Sequence, residues 1–440
     1  MKLIIIESPG KIHSYKKALG SGYEVHASYG HCVDLPPKKL SVDIKNNFQT
    51  NFEVLPDKKD VIKGLKEKAK KATEVYLMSD PDREGEAIAK NIYDQIKSVT
   101  KAPIHRAVTH EITKKGIDDA LKNLTCIDEN KYNAYLARRI LDRLAGYKTS
   151  FLVKQSTGGA SAGRVQSAIL RILVDREKEI QIFVPEEYWT LTAYLLSQKK
   201  EAFIATLVDT VKVNDEKTAS KIYESVYKSI PTVFSVERKE VNVNPQPPFT
   251  TLPMGATAST IFGWNIDKTM KVAQNLYEAA HITYHRTDSP ALSADALSAI
   301  RHLIGSTYGG DYLPSKPNFY AAKKGAQEAH EACRPTDVSA HLNLQGDEAK
   351  LYGLIWKRAI ASQMNSGRDE KLKVITKIAE YDFVSRGSRV LFDGYRKCWS
   401  YGAGQDVLLP ELKNGETCSW DTSKHTTQEF QEGDQSWSES

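Results

Sequence analysis

Apolar and polar positions alternate in two different rhythms along the chain. In the first ~125 residues, short apolar runs such as "KLIIIE" (residues 2–7) and "EVYLMSD" (74–80) predict buried strands. "EGEAIAKNIYDQI" places Ile88, Ile92 and Ile96 four apart on one helical face. Strand ends followed by helices are the pattern of an α/β layer. From about 129 to 185 the period is helical, through "KYNAYLARRILDRLAGY" and "SAGRVQSAILRILVDREKEI", where Val165, Ile169, Ile172 and Ile180 keep helical spacing. "YWTLTAYLLS", "EAFIATLVD" and "TVFSVERKEVNV" then alternate with period two, as strands do. "NPQPPFTTLP" (244–253) is a proline-rich joint and a domain boundary. A helical stretch to about 366 follows, and "LKVITKIAEYDFVSRGSRVLFDGYRKC" returns to strands, so a β domain is interrupted by an inserted helical one. No internal repeat of fixed period is present.

A chain of 440 residues is too long for one core and implies three or four domains. Hydrophobic residues at 40% and charged residues at 26% fit a soluble globular protein, and no run approaches the ~18 apolar residues of a membrane span. "MKLIIIESPG" reads as a first strand of an intracellular protein and not as a secretory leader. Five scattered cysteines without a CxxC argue against a disulfide framework and a structural zinc site. The net charge of +6 is modest, but the last twenty residues hold five acids and one lysine, so the preceding chain is more basic than the total. That polar tail reads as disordered or as the start of something longer.

"SDPDREGEA" sets Asp80, Asp82 and Glu84 at i, i+2 and i+4 just after a strand. Three carboxylates this close repel one another, and a hard divalent cation such as Mg²⁺ would relieve the conflict. An acidic helix N-terminus, with Asp82 as cap, explains the same residues. Glu7 also ends a strand, and in an α/β sheet the carboxyl ends of strands face a common crevice. Ser8 and Pro9 form a helix start, which leaves Glu7 and Lys11 to be explained.

Eight motifs, "IIIESPGK", "SYGHCVDLP", "MSDPDREGEAIA", "ARRILDRLAGY", "SAGRVQS", "PPFTT", "ITYHRTDS" and "AQEAHEACRPTD", occur in an order that resembles the type IA DNA topoisomerases of the bacterial topoisomerase I kind, over residues 1 to about 430. The resemblance implies a multidomain α/β and α+β fold. Its parts would be a Toprim metal-binding domain at 1–128, the first part of a helical DNA-binding domain at 129–185, a strand-rich arch at 186–248 and 371–420, an inserted helical domain with the catalytic tyrosine at 249–370, and a polar or truncated end at 421–440. Together these would form a toroid around DNA. It further implies Mg²⁺-dependent, ATP-independent cleavage of one strand through a 5′-phosphotyrosine on Tyr284, then strand passage and religation. The partner would be single-stranded segments of negatively supercoiled duplex, and the location cytoplasmic or nucleoid-associated.

Independent chemistry agrees. A phosphotyrosine ester conserves bond energy, so no nucleotide is needed, and no GxxxxGK[ST] loop is present. A phenol of pKa ~10 needs positive charge to attack at neutral pH, and Arg286 lies two residues from Tyr284, on the same face if the segment is extended. A strand-end tyrosine before a helix cap at Asp288 or Ser289 is also an ordinary packing arrangement. By the resemblance, Glu7, Lys11, Arg286 and His330 complete the catalytic group and Glu7, Asp80, Asp82 and Glu84 hold the metal. His31, Arg138, Arg139, Asp142, Tyr147, Ser161, Arg164 and Gln166 would contact DNA.

On a helix Arg139 and Arg143 repel mildly, Arg138 and Asp142 can pair, and Ser161 is placed to cap the next helix, with Arg164 and Gln166 in its first turns. A solvated basic face and a turn histidine at 31 account for the same residues without DNA. Two departures stand out: His285 where the family usually has methionine, and Lys154 where a tryptophan is common. In the family the region matching residues 408–431 is followed by the rest of the helical domain. The resemblance therefore implies a longer natural chain or a separate C-terminal polypeptide; without it, a chain that cleaves or binds single-stranded DNA but passes strands poorly is the alternative.

Overall fold

The computed structural model describes residues 1–159, 161–185, 188–321, 331–402, 406–422 and 428–430. The chain divides into two compact units, the first comprising Met1–Arg176, Pro248–Ala296 and Phe319–Ala359, the second Glu177–Pro247, Leu297–Asn318 and Ile360–Ser440. The division at Pro247 and Pro248 falls within the proline-rich joint.

The first unit opens with β1 (Lys2–Ile6), α1 (Ile12–Leu19) and β2 (Tyr23–Ala27). Two short antiparallel pairs follow, β3 (Val33–Asp34) with β6 (Glu53–Val54) and β4 (Val42–Asp43) with β5 (Gln49–Thr50). Next come α2 (Lys59–Lys71), β7 (Glu74–Met78), α3 (Arg83–Ile96), β8 (Ile104–Arg106) and α4 (Lys114–Lys122). The main sheet is parallel, in the order β2-β1-β7-β8. Runs buried on both faces suit such a sheet. Leu3, Ile5, Val75 and Leu77 pack against Leu65 and Ala69 of α2 and Ile88, Ile92 and Ile96 of α3, the three isoleucines whose spacing marks one helical face.

The same unit contains α5 (Glu129–Thr157), most of α6 (Arg164–Ile182), α8 (Thr251–Phe262), α9 (Ile266–Glu278) and most of α11 (Gly346–Ser362), while most of α10 (Ala294–Thr307) belongs to the second. The helical period over 164–182 holds, but α6 has no buried residue: Val165, Ile169 and Ile172 are 59%, 53% and 61% exposed.

The second unit is built on a seven-stranded antiparallel sheet. Its main path runs β11 (Thr232–Val243), β12 (Gly367–Ile378), β13 (Tyr381–Phe392), β10 (Ala202–Leu207), β9 (Trp189–Leu196), β14 (Ser419–Trp420), and β15 (Gln428–Phe430) also pairs with β9. Strands from both sides of the inserted stretch therefore join one sheet. Leu191, Ala193, Leu195, Phe203, Ala205 and Leu207 alternate inward, as their period requires, and pack on Ala219, Ile222 and Val226 of α7 (Glu216–Tyr227). Among the described residues no helix is long and apolar enough to cross a membrane.

Candidate active site

In the parallel sheet Ile6 of β1 lies beside Met78 of β7. The residues that leave these strands, Glu7 and Ser79–Asp80, therefore emerge at the same edge. Ser8 accepts a hydrogen bond from the Gly10 N–H at 3.2 Å, with Pro9 at the first position of a short 3₁₀ turn. This turn carries Lys11 inward, where it is 1% exposed and forms an ion pair with Asp80. Asp82 caps α3, its Oδ1 accepting from the Gly85 N–H at 2.8 Å. Gly85 has no substitute here, since a Cβ would lie 2.1 Å from the Asp80 carbonyl oxygen. The motif is both a helix start and an acid cluster, and the two explanations are not exclusive.

Tyr284 comes to this edge from the segment after α9. Its N–H donates to the His110 carbonyl at 3.0 Å, and Thr283 is bonded to Arg334 through N–H to carbonyl (2.8 Å). The Tyr284 hydroxyl donates to Asp82 Oδ2 at 2.5 Å. Its ring is buried and packs edge-on against Tyr277, with centroids 5.3 Å apart. Tyr277 in turn carries Lys11 Nζ 4.7 Å from its ring centroid. Burial, then the charges of Asp82 and Asp80, push the Tyr284 phenol above its usual range, against the opposing pull of Arg286. The hydroxyl is therefore held protonated in this state. Arg286 itself is exposed and has no ion pair among the described residues.

The carboxylates press on one another. Glu7 is pushed up to about 7 by burial first and the Asp80 charge second, with Lys11 opposing, and its Oε2 is buried without a hydrogen-bond partner among the described residues. Burial also raises Asp80, against the pull of Lys11. Crowded, partly unsatisfied oxygens are the donor set a hard cation takes up. Among the described residues, however, no three acidic, histidine or cysteine side chains converge on one point. Lys11 already engages Asp80 and Tyr284 engages Asp82, so the residues fit a Mg²⁺ ion held by one or two carboxylates and water better than a closed cage. Glu84 turns elsewhere, pairing with His31 Nε2 at 3.0 Å, while the His31 ring stacks on Tyr135 at 5.4 Å. His330 lies outside the described residues.

Several supports of this site are not visible as motifs. Arg106, 1% exposed, donates to the carbonyls of Leu77, Ser79 and Asp80 at 3.0 Å and to Glu86 at 3.1 Å, fixing the end of β7 from which the acids project. Arg334 bridges Glu111 (3.0 Å) and Glu331 (2.6 Å). Thr251 braces the tyrosine segment, its hydroxyl donating to the His285 carbonyl at 2.9 Å and accepting from the Thr287 N–H at 3.0 Å. His285 is fully buried, and neither ring nitrogen finds a hydrogen bond among the described residues.

The basic residues of α5 find protein partners instead of repelling one another. Arg139 pairs bidentately with Asp34, its Nε at 2.9 Å from Oδ1, and the buried Arg143 donates to the carbonyls of Leu35 (3.0 Å), Pro36 (2.6 Å) and Lys39 (2.8 Å). Tyr147 donates to the Pro37 carbonyl at 2.5 Å. Asp142 is held by Arg164 at 2.7 and 3.1 Å, leaving Arg138 at 3.9 Å and half exposed. Arg164 and Gln166 lie in the first turn of α6, but Ser161 does not cap it. The helix begins at Arg164, and Gly163 supplies the carbonyl that opens its hydrogen-bond ladder.

Comparisons with known proteins complete the picture. A DNA topoisomerase family profile matches residues 126–436 and a Toprim domain profile residues 2–112. DNA topoisomerase 1 of Campylobacter jejuni is 42% identical over 94% of this chain and 62% of the relative; that of Zymomonas mobilis is 42% identical over 94% of this chain and 35% of the relative. The chain thus spans about one to two thirds of the length of these relatives. The structure of full-length topoisomerase I from Thermotoga maritima superposes with a TM-score of 0.84 at 35% identity, covering 98% of this chain and 71% of that one. With matching profiles along nearly its whole length and this fold in common, the chain belongs to the type IA DNA topoisomerase family.

Proposed function

We propose that the chain carries the cleavage machinery of an ATP-independent, Mg²⁺-dependent DNA topoisomerase. It would open one strand of negatively supercoiled DNA through a 5′-phosphotyrosine on Tyr284, allow the other strand to pass, and reseal the break. The observation that carries this reading is the 2.5 Å hydrogen bond from the Tyr284 hydroxyl to Asp82, which seats a phenol among carboxylates at the edge of the parallel sheet. In the forward step the Tyr284 oxygen bonds to phosphorus while its proton passes to Asp82. The bond from phosphorus to the 3′ oxygen breaks, and the departing oxygen takes a proton from Glu7, whose carboxyl titrates near neutral pH. Lys11 and Arg286 stabilise the charge on the phosphate. His330 is assigned to the same phosphate.

One or two of the carboxylates Glu7, Asp80 and Asp82, with water, would hold Mg²⁺, and the ion would supply positive charge against the phosphate and the 3′ oxygen during resealing. Glu84, paired with His31, would orient the cluster from outside. Of the α5 residues assigned to DNA, Arg138 is the least engaged by protein partners and would meet the DNA backbone; Arg139, Asp142, Tyr147 and Arg164 would shape the groove through their protein partners, with Ser161 and Gln166 at its edge. The domain limits and the toroid implied by the eight motifs belong to the same reading, as does an intracellular site of action.

The test is negatively supercoiled plasmid with Mg²⁺ and no nucleotide. Passing one strand through a break in the other changes linking number by one, so relaxation in unit steps, abolished by EDTA, is expected. No change in topology and no protein-linked nick overturns the reading.

A further inference from the structure

Left-handed backbone disfavours any residue with a Cβ, and most such residues here have a local reason. Asn47 and Phe48 turn the β4–β5 hairpin, Lys200 lies between β9 and β10, Ala379 turns β12 into β13, and Ala280 follows the end of α9. Tyr29, with φ 58°, has none of these. It lies past the end of β2, before Gly30 at φ 80°, and the residue is 53% exposed, so burial of its ring offsets little of the strain.

The backbone around it is pinned to the acid cluster. Ser28 N–H donates to the Ile6 carbonyl at 2.9 Å, Gly30 N–H to the Glu7 carbonyl at 3.1 Å, and His31 pairs with Glu84 at 3.0 Å. Lys58 Nζ donates to the Tyr29 carbonyl at 3.0 Å and sits 5.9 Å from the ring centroid. Glycine would satisfy this backbone without strain. What glycine lacks is an aromatic face, which here lies exposed at the rim of the site with an ammonium beside it.

We propose that Tyr29 is a stacking platform for one unpaired nucleobase next to the cleaved phosphodiester, with Lys58 meeting the adjoining phosphate. Stacking on an aromatic ring is tolerant of base identity, as an enzyme acting on many sequences requires. The assignment rests on the DNA-cleaving reading above, and the experiment separates the two.

The 440-residue chain and its Tyr29→Gly, Tyr29→Phe and Tyr29→Trp variants are titrated with a single-stranded oligonucleotide carrying 2-aminopurine beside the mapped cleavage position. Covalent capture is measured on the same oligonucleotide. Tyr29→Gly should bind roughly tenfold more weakly and lose quenching of the probe, with an equal or higher melting temperature, while Phe and Trp stay within about twofold of the parent. Unchanged binding and quenching in Tyr29→Gly overturns the platform and leaves the cleavage reading intact if capture persists. A fall in melting temperature in Tyr29→Gly, or equal losses in Phe and Trp, makes the ring or its hydroxyl structural and also overturns it. A parent chain that neither binds nor captures the oligonucleotide sinks both readings.

Discussion

Asp82 holds Tyr284 and caps α3 at once: Oδ2 accepts from the phenol at 2.5 Å and Oδ1 from the Gly85 N–H at 2.8 Å. The two tasks can be separated. Asp82→Asn removes the charge and keeps one acceptor, its amide oxygen for the Gly85 N–H, while turning an amide N–H donor toward the Tyr284 hydroxyl; Asp82→Ala removes both contacts. Asp82→Ala should lose about 1 kcal/mol of stability in urea unfolding, and Asp82→Asn only a few tenths. Neutralising Asp80 and Asp82 together should abolish Mg²⁺-dependent religation while binding of single-stranded DNA persists. Religation at parental rates in limiting Mg²⁺ would make these acids helix-terminal residues only.

Glu7 makes stability depend on pH. Between pH 4.5 and about 7 the folded protein keeps a proton on Glu7 that the unfolded chain has released, so its contribution is complete below 4.5 and is lost as pH rises through about 7. In EDTA, Glu7→Gln should therefore melt higher than the parent at pH 8, by on the order of 1–3 kcal/mol, with the difference shrinking toward pH 5. Parallel melting curves across that range would contradict the assignment.

His285 acts in the opposite direction. Burial, then the Arg286 charge, lowers its imidazole to about 3, so between 6.5 and about 3 the unfolded chain holds a proton that the folded one refuses. Stability on this account falls as pH falls through that window. His285→Met, which removes a buried ring with two unsatisfied nitrogens, should gain about 1–3 kcal/mol at pH 8 and more at pH 5. Guanidinium unfolding at the two pH values measures this, and a less stable variant at both would show that the imidazole is satisfied in solution.

On α5, Arg143→Ala should cost about 2–4 kcal/mol, since three carbonyls of the 35–39 loop lose their donor. Arg138→Ala should leave stability within about 0.5 kcal/mol, while reducing the salt dependence of DNA binding by about one ion. The reverse pattern would exchange their roles.

These contrasts mark how far the chain could be read in advance. Glu7 and Asp80 were legible because parallel strands share a carboxyl edge, and Ile88, Ile92 and Ile96 because a helix face repeats every 3.6 residues. Periodicity does not say which faces are covered, so the same spacing in α6 leaves Val165, Ile169 and Ile172 exposed. Arg106, Arg143 and Arg334 were missed as supports because most of their partners are carbonyls or acids far along the chain, and no local pattern records a long side chain reaching a backbone. Ser161 looked like a cap by residue type, but the helix starts three residues later.

The central claim is that Tyr284 becomes covalently joined to a 5′ phosphate, and one measurement addresses it directly. Single-stranded oligonucleotides labelled at either the 5′ or the 3′ end are incubated with the parent and Tyr284→Phe, stopped with denaturant and resolved by size. For the parent, the 3′ label should migrate with the protein and the 5′ label as a shortened free strand ending in a 3′ hydroxyl. Tyr284→Phe should form no adduct, yet bind the same oligonucleotide within a few fold, because the hydroxyl is one contact among many. An adduct carrying the 5′ label, or one that survives in Tyr284→Phe, would contradict the account.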